Sequence, residues 1–72
     1  MNPYQTLANA IVIQAAKDYR EALTKLKKYP DNTEALTVKD DCERFFRSSW
    51  YAALTEVDGN FLMKKLRAEV GV

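Results

Sequence analysis

One apolar stripe of helical period runs through the first third of the chain. Its members recur every three or four positions, at Tyr4, Leu7, Ala8, Ile11, Ala15, Tyr19, Ala22, Leu26 and Tyr29. This spacing lines one face of an α-helix, whereas a half-buried strand would need strict alternation. Asn2 can cap the first turn and Pro3 suits the first helical position, so the pattern predicts a first helix over residues 3–28.

The segment Tyr29-Pro30-Asp31-Asn32 is the clearest break in the chain. Proline disfavours helix at the residue before it, and an Asp-Asn pair continues a turn. A second helix is predicted from about Thr37, with Thr33 as the alternative start, and it extends to Leu54.

A second break is predicted at Thr55–Gly59, where Asp58 can cap the helix that follows. That third helix is predicted over residues 59–69, and Gly71 suits its end. Three helices with short loops favour an all-α fold, an antiparallel three-helix bundle that forms one domain over residues 1–72.

The first helix is long for so short a chain. Twenty-six residues span about 39 Å of helix, whereas a compact globule of this length is only roughly 29 Å across. Either the first helix kinks, with its first turns folded back or frayed, or a second copy covers its apolar end. We therefore expect a homodimer, with the kinked helix as the alternative.

Four of the eight aromatic residues fall at Phe45, Phe46, Trp50 and Tyr51. Such rings either fill a small core or form the centre of an interface, and Tyr51 is the ring that we expect to point outward. The residues expected to be mainly buried are Leu7, Ile11, Ala15, Tyr19, Leu26, Phe45, Trp50, Leu62 and Leu66.

The residues that usually carry catalysis or bind metals are scarce. The chain has no histidine and one cysteine, and it lacks phosphate-binding and dinucleotide motifs. The acidic residues Asp40, Asp41 and Glu43 are better explained as partners of a helix amino terminus than as metal ligands. Cys42 is expected to be a core residue rather than a nucleophile. We therefore expect no enzyme, no cofactor and no metal.

The composition indicates an intracellular, cytoplasmic protein. A lone cysteine suits a reducing compartment, and no apolar run approaches the roughly 20 residues of a membrane helix. The first residues also lack the basic character of a signal peptide. A net charge of +1 argues against a general polyanion binder, although a local basic patch stays open.

Two groups of residues are candidates for an interaction surface. The first accompanies the aromatic run and consists of Arg44, Arg47 and Tyr51; the second is the basic face of the third helix, formed by Lys64, Lys65 and Arg67. The second group supports an alternative function, a small DNA-binding regulator that uses its third helix. An ion pair between Asp18 and Arg47 is also predicted.

Three segments resemble a group of small prophage and mobile-element proteins of Gram-positive gut bacteria. They are Ala16–Arg20, Cys42–Ser48 with Trp50, and Leu54–Gly59. The resemblance implies a bacterial or phage origin and a cytoplasmic location, and it brings no activity with it. By analogy with other small phage proteins, we expect a non-enzymatic protein that binds another protein.

Overall fold

The structure, a computed structural model, describes residues 2–72 and contains four helices. They are α1 (Pro3–Lys28), α2 (Thr33–Phe46), α3 (Ser49–Leu54) and α4 (Gly59–Val70). Within these described residues there is no strand, so the predicted all-α class is confirmed.

The first helix has the bounds that its sequence predicts. The side chain of Asn2 accepts a hydrogen bond from the backbone N–H of Tyr4 at 2.8 Å, which satisfies one free donor of the first turn. The helix is continuous from Pro3 to Lys28, so its first turns do not fold back as the alternative to the dimer required. It sets the long dimension of a molecule that measures 41 × 21 × 20 Å.

The predicted second helix is wrong as a single element, because the chain turns at Arg47 and Ser48. The hydroxyl of Ser48 donates to the carbonyl of Phe45 at 2.6 Å and accepts from the N–H of Tyr51 at 3.1 Å. A serine side chain that bonds the local backbone in this way competes with the helix and starts a new one. The molecule therefore has four helices instead of three.

The start of α2 is the earlier of the two predicted positions. The side chain of Asn32 accepts from the N–H of Ala35 at 3.0 Å, so the helix begins at Thr33 and not at Thr37.

The last helix matches its prediction to within one residue. The carboxylate of Asp58 accepts from the N–H groups of Asn60 at 2.8 Å and Phe61 at 3.3 Å. At the other end Gly71 has φ +88°, the left-handed conformation that glycine adopts without steric cost.

The core lies where the carboxyl half of α1 meets α2 and α4. Tyr19 is fully buried at its centre. The buried residues that form this cluster are Ala16, Tyr19, Leu23, Cys42, Phe46, Tyr51, Met63 and Leu66. Two exposed contacts tie the carboxyl ends of α1 and α4 together: an Arg20–Glu69 ion pair at 3.3 Å, and a 3.0 Å hydrogen bond from Lys27 to the carbonyl of Val70.

Most of the predicted core residues are buried at least in part. Tyr19 and Leu66 are buried, and five more are half-buried: Ile11, Ala15, Leu26, Phe45 and Leu62. The prediction is wrong for Leu7, whose side chain is 61% exposed, and for Trp50, which is 59% exposed. Leu7 lies on the amino half of α1, beyond the centre of the core.

Candidate interaction surface

A part-buried polar cluster joins α1, α2 and α4. The hydroxyl of Tyr19 donates to the carboxylate of Glu43 at 2.8 Å, and the same hydroxyl accepts from Nε of Arg67 at 2.9 Å. Nζ of Lys39 lies 3.3 Å from the Glu43 carboxylate, and Arg67 approaches it at 3.5 Å. Arg67 was predicted to lie on an interaction surface, but it instead ties α4 to the core.

Glu43 is the anionic centre of this cluster. Burial acts to raise the pKa of its carboxyl, but the hydrogen bonds from Tyr19 and Lys39 and the charges of Lys39 and Arg67 outweigh it and lower the pKa below its usual value. Glu43 therefore stabilises the folded state in its ionised form.

We expect acid to destabilise the protein through Glu43. A carboxyl group whose pKa is depressed on folding contributes stability above its unfolded pKa of about 4.3, and that stability is lost as the pH falls through the folded value. The free energy of unfolding should therefore decrease below about pH 4.3. Urea titrations across this pH range should show that acid lowers the free energy of unfolding less for Glu43→Gln than for the wild type. The matched control is Glu56→Gln, at an exposed position outside the cluster. If both variants reduced the acid-induced loss of stability equally, the stabilising role of Glu43 would be contradicted.

The aromatic run divides into buried and exposed rings. Phe46 and Tyr51 are each 2% exposed and pack edge to face with their centroids 5.6 Å apart. Phe45 is half-buried, and Trp50 packs edge to face on it at 5.5 Å while remaining mostly exposed. The prediction of Tyr51 as the outward ring is wrong, and Trp50 takes that place.

The hydroxyl of Tyr51 has no hydrogen-bond partner within residues 2–72, although it is buried. Burial and the charge of Asp58 raise the pKa of this phenol. The Tyr51 ring therefore stabilises the core, whereas its hydroxyl does not.

The two buried tyrosines should respond differently to loss of the hydroxyl. Tyr19→Phe removes a hydrogen bond to a charged group and should cost about 1.5–3 kcal/mol of unfolding free energy. Tyr51→Phe removes an unsatisfied group and should leave stability unchanged or raise it by up to about 1 kcal/mol. Chemical denaturation of both variants measures the difference, and a larger loss for Tyr51→Phe would contradict the assignment.

The arginines beside the aromatic run are exposed. Arg44 lies 3.8 Å from Asp41, a surface ion pair worth less than about 1 kcal/mol. The predicted pair between Asp18 and Arg47 is wrong, since Asp18 instead accepts from the side chain of Gln14 at 3.0 Å. Arg44 and Arg47 are thus available at the surface next to Trp50.

The exposed face of α4 carries the second predicted group. Lys64 and Lys65 are exposed, and the ammonium of Lys65 lies 5.8 Å from the ring centre of Phe61, which is also exposed. This face is basic and partly aromatic, without the third member that the sequence assigned to it, Arg67.

Cys42 is a core residue with acidic neighbours on both sides in the chain. Burial, with the charges of Asp18, Asp41 and Glu43, raises the pKa of the Cys42 thiol to about 11, so it stays protonated at neutral pH. Asp40 and Asp41 are exposed while Glu43 faces inward, and no group of three metal-ligating side chains converges within residues 2–72.

An apolar surface lies at the amino end of α1, where the sequence predicts that the first helix extends beyond the globule. Tyr4, Leu7 and Ile11 follow one another at spacings of three and four and therefore share one side of the helix. Tyr4 is 81% exposed, Leu7 is exposed and Ile11 is half-buried. We call these three residues the end surface. The apolar stripe marked them as contact residues, but the helices of this chain leave them largely uncovered.

Comparisons with other proteins identify no relative of this chain. No protein-family model, no curated protein and no solved structure matches the chain. None of the helices described here is both long enough and apolar enough to cross a membrane. The candidate site is therefore described from the structure alone. It is an exposed apolar helix end beside a folded bundle.

Proposed function

We propose that this chain is a non-enzymatic interaction protein, of phage or prophage origin, that acts in the cytoplasm by binding another protein. The observation that carries the proposal is the end surface. Three large apolar side chains lie together on a continuous helix at a position where the bundle leaves Tyr4 and Leu7 exposed and covers Ile11 only in part. Exposed apolar patches on small soluble proteins typically mark interaction sites.

The charge distribution supports the same conclusion. Residues 1–16 contain no Lys, Arg, Asp or Glu, so all 21 charged side chains lie from Lys17 onward. The centres of protein interfaces are depleted of charged residues in the same way, because a buried unpaired charge costs free energy. An uncharged, apolar helix end therefore suits a protein partner better than a polyanion.

Trp50 provides a further contact for such a partner. Tryptophan and arginine are enriched among the residues that dominate binding energy. Trp50 is packed on one side against Phe45 and exposed on the other, and the exposed Arg44 and Arg47 precede it in the chain by six and three positions. A side chain held in this way loses little conformational entropy on binding.

The proposal includes self-association. The first helix is as long as its sequence predicts, and the remaining helices do not cover its amino end. A homodimer is the commonest closed assembly and would enlarge the core of a small domain.

Affinity capture tests the proposed function with a matched pair of variants. The immobilised chain is presented to a bacterial lysate after digestion of nucleic acids. Leu7→Glu introduces a charge into the end surface, while Asn9→Glu introduces the same charge about 160° away around the same helix. Proteins held by the wild type and by Asn9→Glu, but lost with Leu7→Glu, would support binding through the end surface. Equal retention by both variants would contradict it.

The second candidate function is DNA binding through α4, which the exposed Lys64 and Lys65 favour. Two phosphate contacts would give a slope of only about −2 in a plot of log affinity against log salt, since each contributes about −0.9. Binding measured at two salt concentrations tests this candidate. DNA binding with a slope near −2 that is lost on changing both lysines to alanine would favour DNA binding over protein binding.

A further inference from the structure

We propose that the end surface binds the end surface of a second copy, with the amino halves of the two α1 helices side by side and antiparallel. A two-fold axis would pass near Leu7. This inference rests on the proposed function and names the partner of the same site.

The accessible area of the chain fits an incomplete assembly. A compact monomer of 8.3 kDa is expected to expose about 4,600 Å². This chain exposes 5241 Å², roughly 650 Å² more than that expectation. A typical specific interface buries about 800 Å² on each partner. The excess is of the same order as the area that one partner contributes to a stable dimer, and the exposed Tyr4 and Leu7 contribute to it.

The charge pattern favours a second copy over a charged partner. A two-fold axis brings each helix against an identical one, so charges near the axis would meet charges of the same sign. Residues 1–16 carry no charged side chain, and this cost is therefore absent. An acidic or basic partner, by contrast, would find no side chain of opposite charge in this segment.

The spacing of the end surface suits an antiparallel pair. With the axis at Leu7, the two Leu7 side chains meet, and Tyr4 of each copy lies opposite Ile11 of the other. The carboxyl halves of the two α1 helices, which carry core residues of each bundle, then point away from each other.

The mass in solution across a concentration series tests the dimer. The wild type and Asn9→Glu should pass from 8.3 kDa towards the mass of two chains as the concentration rises into the high micromolar range. Leu7→Glu should remain at the mass of one chain, with dimerisation weakened by at least about 100-fold, because two buried leucines are lost. Leu7 is exposed in the monomer, so circular dichroism should show unchanged helicity in this variant.

Cysteine cross-linking tests the antiparallel arrangement. Under mild oxidation Leu7→Cys should form a covalent dimer, since the axis brings residue 7 against itself. Asn9→Cys, on the opposite side of the helix, should not. The native Cys42 does not interfere, because it is buried and its thiol pKa is raised to about 11.

The outcomes separate this inference from the proposed function. A wild-type mass that stays at 8.3 kDa at high micromolar concentration, or a dimer that persists in Leu7→Glu, would overturn the inference. If the wild type stays monomeric and Leu7→Glu alone loses a captured protein, binding of another protein through the end surface stands, while self-association is wrong. If neither dimer nor captured protein depends on Leu7, both proposals fail.

Discussion

Phe46→Ala is expected to remove a large share of the protein's stability at 25 °C. Phe46 packs edge to face against Tyr19 and Tyr51, each at a centroid distance of 5.6 Å, and contacts Phe45 at 5.7 Å. Replacing a buried phenylalanine by alanine costs about 3–5 kcal/mol. A chain of this length has a total stability of only roughly 4–11 kcal/mol.

Trp50→Ala is the matched control for this prediction. It removes an even larger ring from the same aromatic run, but from an exposed position, so the loss should stay within about 1 kcal/mol. Urea denaturation followed by circular dichroism measures both variants. Equal losses would mean that burial has been assigned to the wrong rings.

Gly59→Ala should be the second most damaging substitution, although alanine normally favours a helix over glycine. A Cβ at Gly59 would overlap the backbone carbonyl of Phe46, at the end of α2. The backbone cannot rotate away as a side chain can, so α4 would have to shift. Such overpacking typically costs about 1–3 kcal/mol, and we expect a value near the upper end.

The neighbouring Asn60 provides the control. Asn60→Ala places the same side chain one residue later in the first turn of α4, at an exposed position, and should change stability by less than about 0.5 kcal/mol. Thermal denaturation of the two variants compares them directly. A Gly59→Ala variant as stable as Asn60→Ala would show that α2 and α4 are not in close contact there.

The features that the sequence predicts well have local causes. The bounds of α1 follow from Asn2, Pro3 and the period of the stripe, and the start of α4 follows from Asp58. Caps and periodicity act within one or two turns, so a short stretch of sequence contains all the information they need.

The sequence does not predict the turn at Ser48, because apolar residues keep their helical spacing across it. In an unbroken helix, the side chain of residue 50 would point into the core. Because a new helix starts after Ser48, its side chains are rotated relative to those of α2, and Tyr51 points into the core instead. The local signal was a pair of serines, Ser48-Ser49, in the middle of an aromatic run, since serine is a preferred cap.

The remaining differences depend on contacts between distant residues. Tyr19 and Glu43 are 24 positions apart, and Tyr19 and Arg67 are 48 apart, so the polar cluster exists only once the helices have packed. The exposure of Leu7 has the same origin. An apolar stripe identifies the face of a helix that must be buried. It does not show which turns of that face the other helices of the same chain can contact.

Amide hydrogen exchange at two protein concentrations tests the central claim most directly, namely that the amino half of α1 is left open by its own bundle and covered by a partner copy. At low micromolar concentration, amides of residues 7–11 should exchange at least about 10-fold faster than those of residues 19–26, which lie against the core. At high micromolar concentration, exchange at residues 7–11 should slow markedly, while residues 19–26 stay unchanged. Equal protection of both segments at the lower concentration, with no dependence on concentration, would contradict the account.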